Sequence, residues 1–466
     1  MNRPTRNALF LLGGEVGARI FGFLVSAYLA RVLGVGGFGQ IGFALAVFAY
    51  ATMATKLGLL TVGVKDIAQN RDRVTELTGN IITLRLALGL VAATAMVVLG
   101  LVLRKGPTVR GLLIILGAGV VLQCLLIEWV FTAVERTGYI SVARIVTSAV
   151  YFGLALALVR TADDIMMVPL AFVAATASGM AILLIRYARL YGRPAPRLDP
   201  TVIRGLVRRA WPIGIASFLT QIHTNAGIVA LSLMKNDTAA GEYTAAHRIV
   251  FFVLMLDRIF QTVFFPVVSR YASGKPDRFG WLIGAALRML LAVGVPICVG
   301  LLLLSSPAVE LVFGAEYSAA VPLLAILSWF ILLSLLTSLA GYSLLASGQE
   351  RRFARNTSIG VGFSLCSVAL GVLLWGTTGA AAGIVMGEAV VLLLMGYDLL
   401  RIAPPSVNWR TLVPVAASLP LALVLLLLRG WNWPVAAVLG ASVYLALLFL
   451  GKGVTPSDIG LLRYND

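Results

Sequence analysis

The chain has 466 residues, of which 59% are hydrophobic and only 12% charged, and its formal net charge is +17. Soluble domains carry about 25% charged residues, so the balance excludes a soluble globular protein and leaves no room for a large aqueous domain. It points to an all-α polytopic membrane protein, each span needing roughly 20 apolar residues.

Taken in order, the chain begins with MNRPTRN and an apolar run to about Leu33. That run exceeds the roughly 7–15 apolar residues of a signal peptide, so it reads as a retained first helix. Glu15 and Arg19 are four apart on it and share a face. The second apolar stretch carries Lys56 near its end, Arg85 opens the third, and Glu128 lies in the fourth. Arg144, near the start of the fifth, reads as snorkelling to the interface. A linker at 191–205, with Pro194, Pro196 and Pro200, separates an N-terminal lobe (1–190) from a second lobe (206–403). The seventh stretch presents Ser217, Gln221, Thr224 and Asn225 at helical spacing. Such a stripe can hold a neighbouring helix or hydrogen-bond sugar hydroxyls. The eighth stretch places His247, Arg248, Asp257 and Arg258 at membrane depth, where ionisable groups are costly and mark function. Arg288 follows in the ninth and Glu388 in the twelfth, and residues 404–466 supply two more helices and a tail.

That gives fourteen apolar stretches joined by short loops of two alternating kinds. KDIAQNRDRVTE, AVERTG, SRYASGKPDR and SGQERRFAR make up one set, and GVGG, RKGPT, TADD, KND and WGTT the other. Of 37 Lys and Arg, 23 fall on the first side, 7 on the other and 7 within spans. The bias puts the first loop set, and both termini, in the cytoplasm. The positive charge also admits an anionic partner. Cys124, Cys298 and Cys366 sit inside apolar runs with neither metal nor disulfide spacing. No GxxxxGK[ST] loop or loop-borne pair of carboxylates appears, so nothing here hydrolyses a nucleotide; no metal, cofactor or nucleic acid is implied.

The chain also repeats itself. A shift of 202 places Gly39-Gln40-Ile41-Gly42-Phe43 on Gly241-Glu242-Tyr243-Thr244-Ala245 and Lys56 on Arg258. A shift of 203 places Arg85 on Arg288, and one of 215 places Glu135-Arg136 on Glu350-Arg351. Two six-helix halves, each starting from the cytoplasm, are parallel repeats with a substrate path expected between them. Within the spans the basic residues Arg19, Lys56, Arg85, Arg248, Arg258 and Arg288 exceed the acids Glu15, Glu128, Asp257 and Glu388. A cavity lined by the former suits a diphosphate or an acidic sugar. The acids either tune that field or take up a coupling cation.

The segments ARVLGVGGFGQIGFAL (30–45), GEYTAAHRI (241–249), VFGAEYSAAVPLLAIL (312–327) and SLLASGQERRFAR (343–355) resemble the polysaccharide-biosynthesis flippases. These are the O-antigen and exopolysaccharide translocases of the multidrug/oligosaccharidyl-lipid/polysaccharide exporter superfamily. The resemblance covers essentially the whole chain and rests on the order and spacing of the segments. It implies a protein of the bacterial inner membrane that moves an undecaprenyl-diphosphate-linked oligosaccharide between leaflets by alternating access. It further implies a cationic cavity between two lobes, coupling to protons, sodium or the membrane potential, and work beside a polysaccharide polymerase and chain-length proteins. Membrane lipids are partners by necessity. The rival readings are a drug/cation antiporter of the same superfamily, which calls for an acidic or aromatic pocket, and a membrane glycan polymerase, which calls for large catalytic loops.

Overall fold

A computed structural model describes residues 3–272, 276–428, 430 and 432–454; the expected C-terminal tail beyond Val454 lies outside the described residues. The described residues form helices joined by short connections. In chain order these are α1 (Arg3–Lys56), α2 (Leu59–Gln69), α3 (Val74–Val102), α4 (Gly106–Cys124), α5 (Glu128–Ala133), α6 (Thr137–Leu158), α7 (Met167–Tyr191) and α8 (Pro200–Met234). There follow α9 (Asp237–Val253), α10 (Met255–Ala272), α11 (Pro276–Leu303), α12 (Ser305–Phe313), α13 (Ala320–Ala346), α14 (Glu350–Ile402), α15 (Val413–Leu428) and α16 (Trp433–Leu450). Eleven helical stretches are long and apolar enough to cross a membrane.

Two of them are long enough to cross twice. α1 and α14 have 54 and 53 residues, about 80 Å if straight, against a hydrocarbon core of about 30 Å. Each turns at a glycine in the left-handed region, Gly34 (φ 67°) and Gly376 (φ 62°), where a Cβ would be strained. These are the glycines of the GVGG and WGTT loops. The arms of α14 then lie so close that only small residues fit between them. A side chain on Gly371 would meet the Gly379 carbonyl oxygen at 2.3 Å, and one on Gly387 the Ser364 Cβ at 2.2 Å. Such packing holds helices together where lipid supplies no hydrophobic drive. With α8, 35 residues long, these helices make the fourteen passes expected.

Polar side chains on the spans mostly satisfy themselves locally. Thr83, Thr176 and Ser418 donate to the carbonyl four residues back, at 2.8–2.9 Å. This removes the cost of a bare hydroxyl in an apolar medium.

Contacts group the chain into two compact units, Met1–Gly241 and Glu242–Asp466. In the first, Leu59, Ile67, Leu77, Ile81, Trp129 and Tyr187 form a continuous core of α2, α3, α5 and α7. In the second, α15 and α16 close on α11 through Leu421, Leu425 and Tyr444, whose hydroxyl donates to the Ala292 carbonyl at 2.8 Å.

The proline-rich linker is shorter than expected, because α8 already starts at Pro200. Asp199 caps α8, accepting from the backbone N–H groups of Thr201 and Val202. The Thr201 hydroxyl and these N–H groups hold its carboxyl below the usual range. The segment before it is strapped along α3. The Asp199 N–H donates to Asn80 Oδ1 at 2.8 Å, and a side chain on Gly79 would meet the Ala195 carbonyl oxygen at 2.4 Å. The second unit repeats the device after α14. The Ser406 N–H donates to the Gly280 carbonyl at 3.0 Å, and a side chain on Gly284 would meet the Ser406 carbonyl oxygen at 2.4 Å.

Candidate functional site: two clusters of buried charge

In the first unit the charges expected on separate helices converge. Arg19 reaches Glu15 along α1 at 3.1 Å. From α6, Arg144 reaches Glu128 on α5 at 2.7 Å and Glu15 at 3.8 Å. Four side chains on three helices thus form one ionic network, each partly accessible, from 21% for Glu15 to 39% for Arg19. Arg144 is a member rather than a side chain snorkelling alone. Its link to Glu128 spans 16 residues and depends on the break between α4 and α5, so helical spacing gave no sign of it. Lys56, half-buried at the end of α1, lies within the electrostatic reach of Glu128, Arg144 and Arg85.

Arg85 occupies a different niche. It is 1% exposed and donates to the carbonyls of Gln123 (2.8 Å) and Leu126 (3.2 Å). These carbonyls lie where α4 ends and α5 has not begun; the Gln123 carbonyl already accepts from the Leu126 N–H at 3.2 Å, and Arg85 adds a charged donor to it. A cation at a helix C-terminus is also favoured by the helix dipole. Its guanidinium therefore contributes charge to the network more readily than contact with a ligand. Counting it, four cations (Arg19, Lys56, Arg85, Arg144) meet two carboxylates (Glu15, Glu128), and the field is positive.

Ser217, Gln221 and Asn225 lie half-buried on α8. Asn225 donates to the Gln221 carbonyl at 3.2 Å, and Tyr50 of α1 to the Ile222 carbonyl at 3.2 Å. The first bond lies within α8, and the second ties α1 to the α8 backbone beside the stripe.

The second unit holds the other cluster. The span that carries His247 and Arg258 is interrupted at Leu254, between α9 and α10. His247, 6% exposed, stacks on Phe251 with centroids 4.0 Å apart. Arg248 is half-buried and Arg258 exposed. Arg288 is 6% exposed on α11. Asp257, in the first turn of α10, accepts at Oδ2 from Gln261 Nε2 (2.6 Å) and from Ser338 of α13 (2.9 Å). Tyr342, one turn after Ser338, donates to Gln261 Oε1 at 2.8 Å. Ser338 and Tyr342 were not anticipated, although their spacing of four is a helical-face signal. Glu388 of α14, 7% exposed, acts electrostatically on Asp257. An apolar cavity of about 510 Å³ also lies in this unit, lined by Phe252, Met255, Ile297, Leu301, Leu311 and Trp433 among others. Its walls offer a headgroup nothing to bind.

Residues 5–272 match the family model described as polysaccharide biosynthesis protein. A stretch of 173 residues is 25% identical to the probable low-salt glycan biosynthesis flippase Agl15 of Haloferax volcanii, covering 37% of this chain and 37% of that protein. The fold is similar to that of the lipid II flippase MurJ in an inward closed conformation. The TM-score is 0.76 at 13% identity, over 98% of this chain and 100% of that one. It is also similar to an inward-facing multidrug resistance MATE transporter of the MOP superfamily, with a TM-score of 0.67 at 15% identity, over 83% and 94% of the two chains. The all-helical fold is thus similar to that of these transporter structures, and the chain belongs to the polysaccharide biosynthesis protein family.

Proposed function

We propose that the protein translocates a polyprenyl-diphosphate-linked oligosaccharide from the cytoplasmic to the periplasmic leaflet by alternating access, for assembly of a surface polysaccharide such as O-antigen, capsule or exopolysaccharide. The observation that carries this reading is the ionic network of the first unit, where Arg19, Arg144 and Lys56 outnumber Glu15 and Glu128. A site that is partly accessible and net positive offers a diphosphate forked guanidinium contacts in place of water. The family match and the glycan-flippase relative support the same cargo class. In this reading Arg248, Arg258 and Arg288 supply cationic surface in the second half, and Ser217, Gln221 and Asn225 face the sugars. The lobes divide as 1–190 and 206–403, with the last two helices as an addition. The membrane is the bacterial inner membrane with both termini cytoplasmic, and a polymerase and chain-length proteins act downstream.

The test is leaflet transfer of a fluorescent polyprenyl-diphosphate oligosaccharide in vesicles containing the purified protein. Wild type should transfer it, and Lys56→Ala with Arg258→Ala should slow transfer at least tenfold. Undiminished transfer by the double variant would remove the paired cationic site. The second reading, export of an organic cation, draws on the buried carboxylates Asp257 and Glu388. Drug efflux from expressing cells with no transfer in vesicles would favour it.

A further inference from the structure

We propose that one side of the α14 hairpin holds a single anionic glycerophospholipid, with its phosphate between Arg355 and Arg401 and its acyl chains along the two arms. The arms run antiparallel and meet at a seam. Arg355 Nη2 and Asn356 Nδ2 donate to Asp398 Oδ2 at 2.9 and 2.8 Å, and a side chain on Gly360 would meet Val391 Cγ2 at 2.1 Å. Arg355 directly precedes the seam residue Asn356, and Tyr397 directly precedes the seam residue Asp398. In an antiparallel pair, the residue one step before the seam points to the same side on either arm. Steps of four continue each position along its helix. Arg355, Ile359 and Phe363 form one exposed stripe, and Leu393, Tyr397 and Arg401 form the other. α13 covers the opposite side, where a side chain on Gly341 would meet Phe353 Cε2 at 3.0 Å and Met395 Sδ at 3.4 Å. The two stripes therefore flank a furrow open to the bilayer, and both end in a guanidinium at the same end of the hairpin.

The two guanidinium groups are held in place rather than left to reach for water. Asp398 is 5% exposed and also accepts from Arg352 Nη1 at 3.4 Å. Arg355 Nε and Nη2 donate to Asn356 Oδ1, both at 3.1 Å, while its Nη1 donates to no group among the described residues. Arg401 lies over the Tyr397 ring, 4.3 Å from its centroid, and has no carboxylate partner among the described residues. Arg351, Arg352, Arg355 and Arg401 outnumber Glu350 and Asp398 at this end of the hairpin, so the spot stays positive. A phosphate diester takes forked N–H donors of this kind, and basic pockets beside spanning helices bind anionic headgroups. The exposed apolar stripes continue from the guanidinium groups into the bilayer, where the chains of that same lipid must lie. One bound lipid is thus distinguished from the bulk bilayer.

Binding here does not depend on the identity of the cargo, so the test is made on the purified protein without cargo. Native mass spectrometry counts the lipid retained from an equimolar mixture of dioleoylphosphatidylglycerol and dioleoylphosphatidylcholine in neutral detergent. Wild type should retain one phosphatidylglycerol about tenfold in preference to phosphatidylcholine, the worth of one charge-assisted contact. Arg355→Gln with Arg401→Gln should abolish the preference. Should that variant not fold, Arg401→Gln alone serves instead, because it touches no carboxylate, and it should weaken the preference. Arg204→Gln with Arg208→Gln removes the same charge from an exposed stretch of α8 in the first unit and should leave the preference intact. Glycerol phosphate, the headgroup without its chains, should not displace the lipid at equal concentration. Equal retention of the two lipids by wild type overturns the proposal, as does a preference unmoved in the α14 variants. An equal loss in the α8 variant would assign the binding to diffuse charge, and displacement by glycerol phosphate would assign it to a free phosphate; either result overturns the bound-lipid site.

Discussion

Gly39 and Gly241 each press on the backbone of the other's segment. A side chain on Gly39 would lie 1.8 Å from the Asp237 carbonyl oxygen, and one on Gly241 would lie 2.0 Å from the Val35 carbonyl oxygen. Both pairs obey the offset of 202 at which GQIGF meets GEYTA in the sequence. The contact is reciprocal, as a local two-fold relation between the repeated segments would make it. Beside it, Lys105 binds the Asp237 carboxylate and donates to Ser232 at 2.6 Å.

Because the opposing atoms are backbone, they cannot rotate away from an added methyl group. Gly39→Ala should therefore destabilise the closed contact by about 1–3 kcal/mol, the range for overpacking. A cross-link reads this directly. The Cβ position of Gly36 is 3.9 Å from Thr238 Oγ1, within disulfide reach. Gly36→Cys with Thr238→Cys should oxidise readily and arrest leaflet transfer until reduced, and adding Gly39→Ala should lower the cross-linked fraction. A cross-linked protein that transports at the wild-type rate would exclude separation of these segments from the cycle.

Arg144 ties Glu128 and Glu15 together across three helices, and all of these groups are partly accessible. Replacing Arg144 with Leu should cost about 1–3 kcal/mol, between the values for exposed and fully buried pairs. Adding Glu128→Leu should recover much of that, because the second change removes the stranded carboxylate. Thermal unfolding of the two single variants and the double variant measures the coupling. Additive losses would mean that the pair is not an energetic unit.

Arg85 separates charge from geometry. Arg85→Lys keeps the cation but cannot fork to the Gln123 and Leu126 carbonyls together. It should lose about 1.5–3 kcal/mol, the worth of hydrogen bonds from a charged donor, read as a lower unfolding temperature. Unchanged stability with slowed leaflet transfer would instead return Arg85 to direct contact with the cargo.

Most of the fold was legible from the sequence because apolar length and glycine carry it. The passes follow from runs of apolar residues, and Gly34 and Gly376 fall in the loops that composition marked. The repeat at Gly39 and Gly241 was visible because both the residue type and its spacing recur. What could not be read were the interruptions at Leu254 and after Cys124, which apolar residues conceal. The clusters depend on those breaks. Glu128 meets Arg144 because α5 starts afresh, and Asp257 meets Ser338 because α10 does. The basic residues were found individually, but their division into a cap (Arg85) and a network (Arg19, Arg144) is set by packing between helices.

The linker strap supplies the last prediction. Residues 192–199 carry Arg197, which trypsin cleaves before Leu198, yet their backbone is held to α3 by the Asp199–Asn80 hydrogen bond and by the close approach of Ala195 to Gly79. Proteolysis requires the chain to lift locally, so its rate follows the free energy of that opening. Asn80→Ala removes one hydrogen bond worth about 1 kcal/mol, which should speed cleavage roughly fivefold. Gly79→Val sets a side chain against the Ala195 carbonyl and should speed it further. The matching change in the second unit, Gly284→Val, pushes against Ser406 and should leave cleavage at Arg197 at the wild-type rate. Equal acceleration by all three variants would mean that cleavage reports global loosening, and the strap would then not be an independent element.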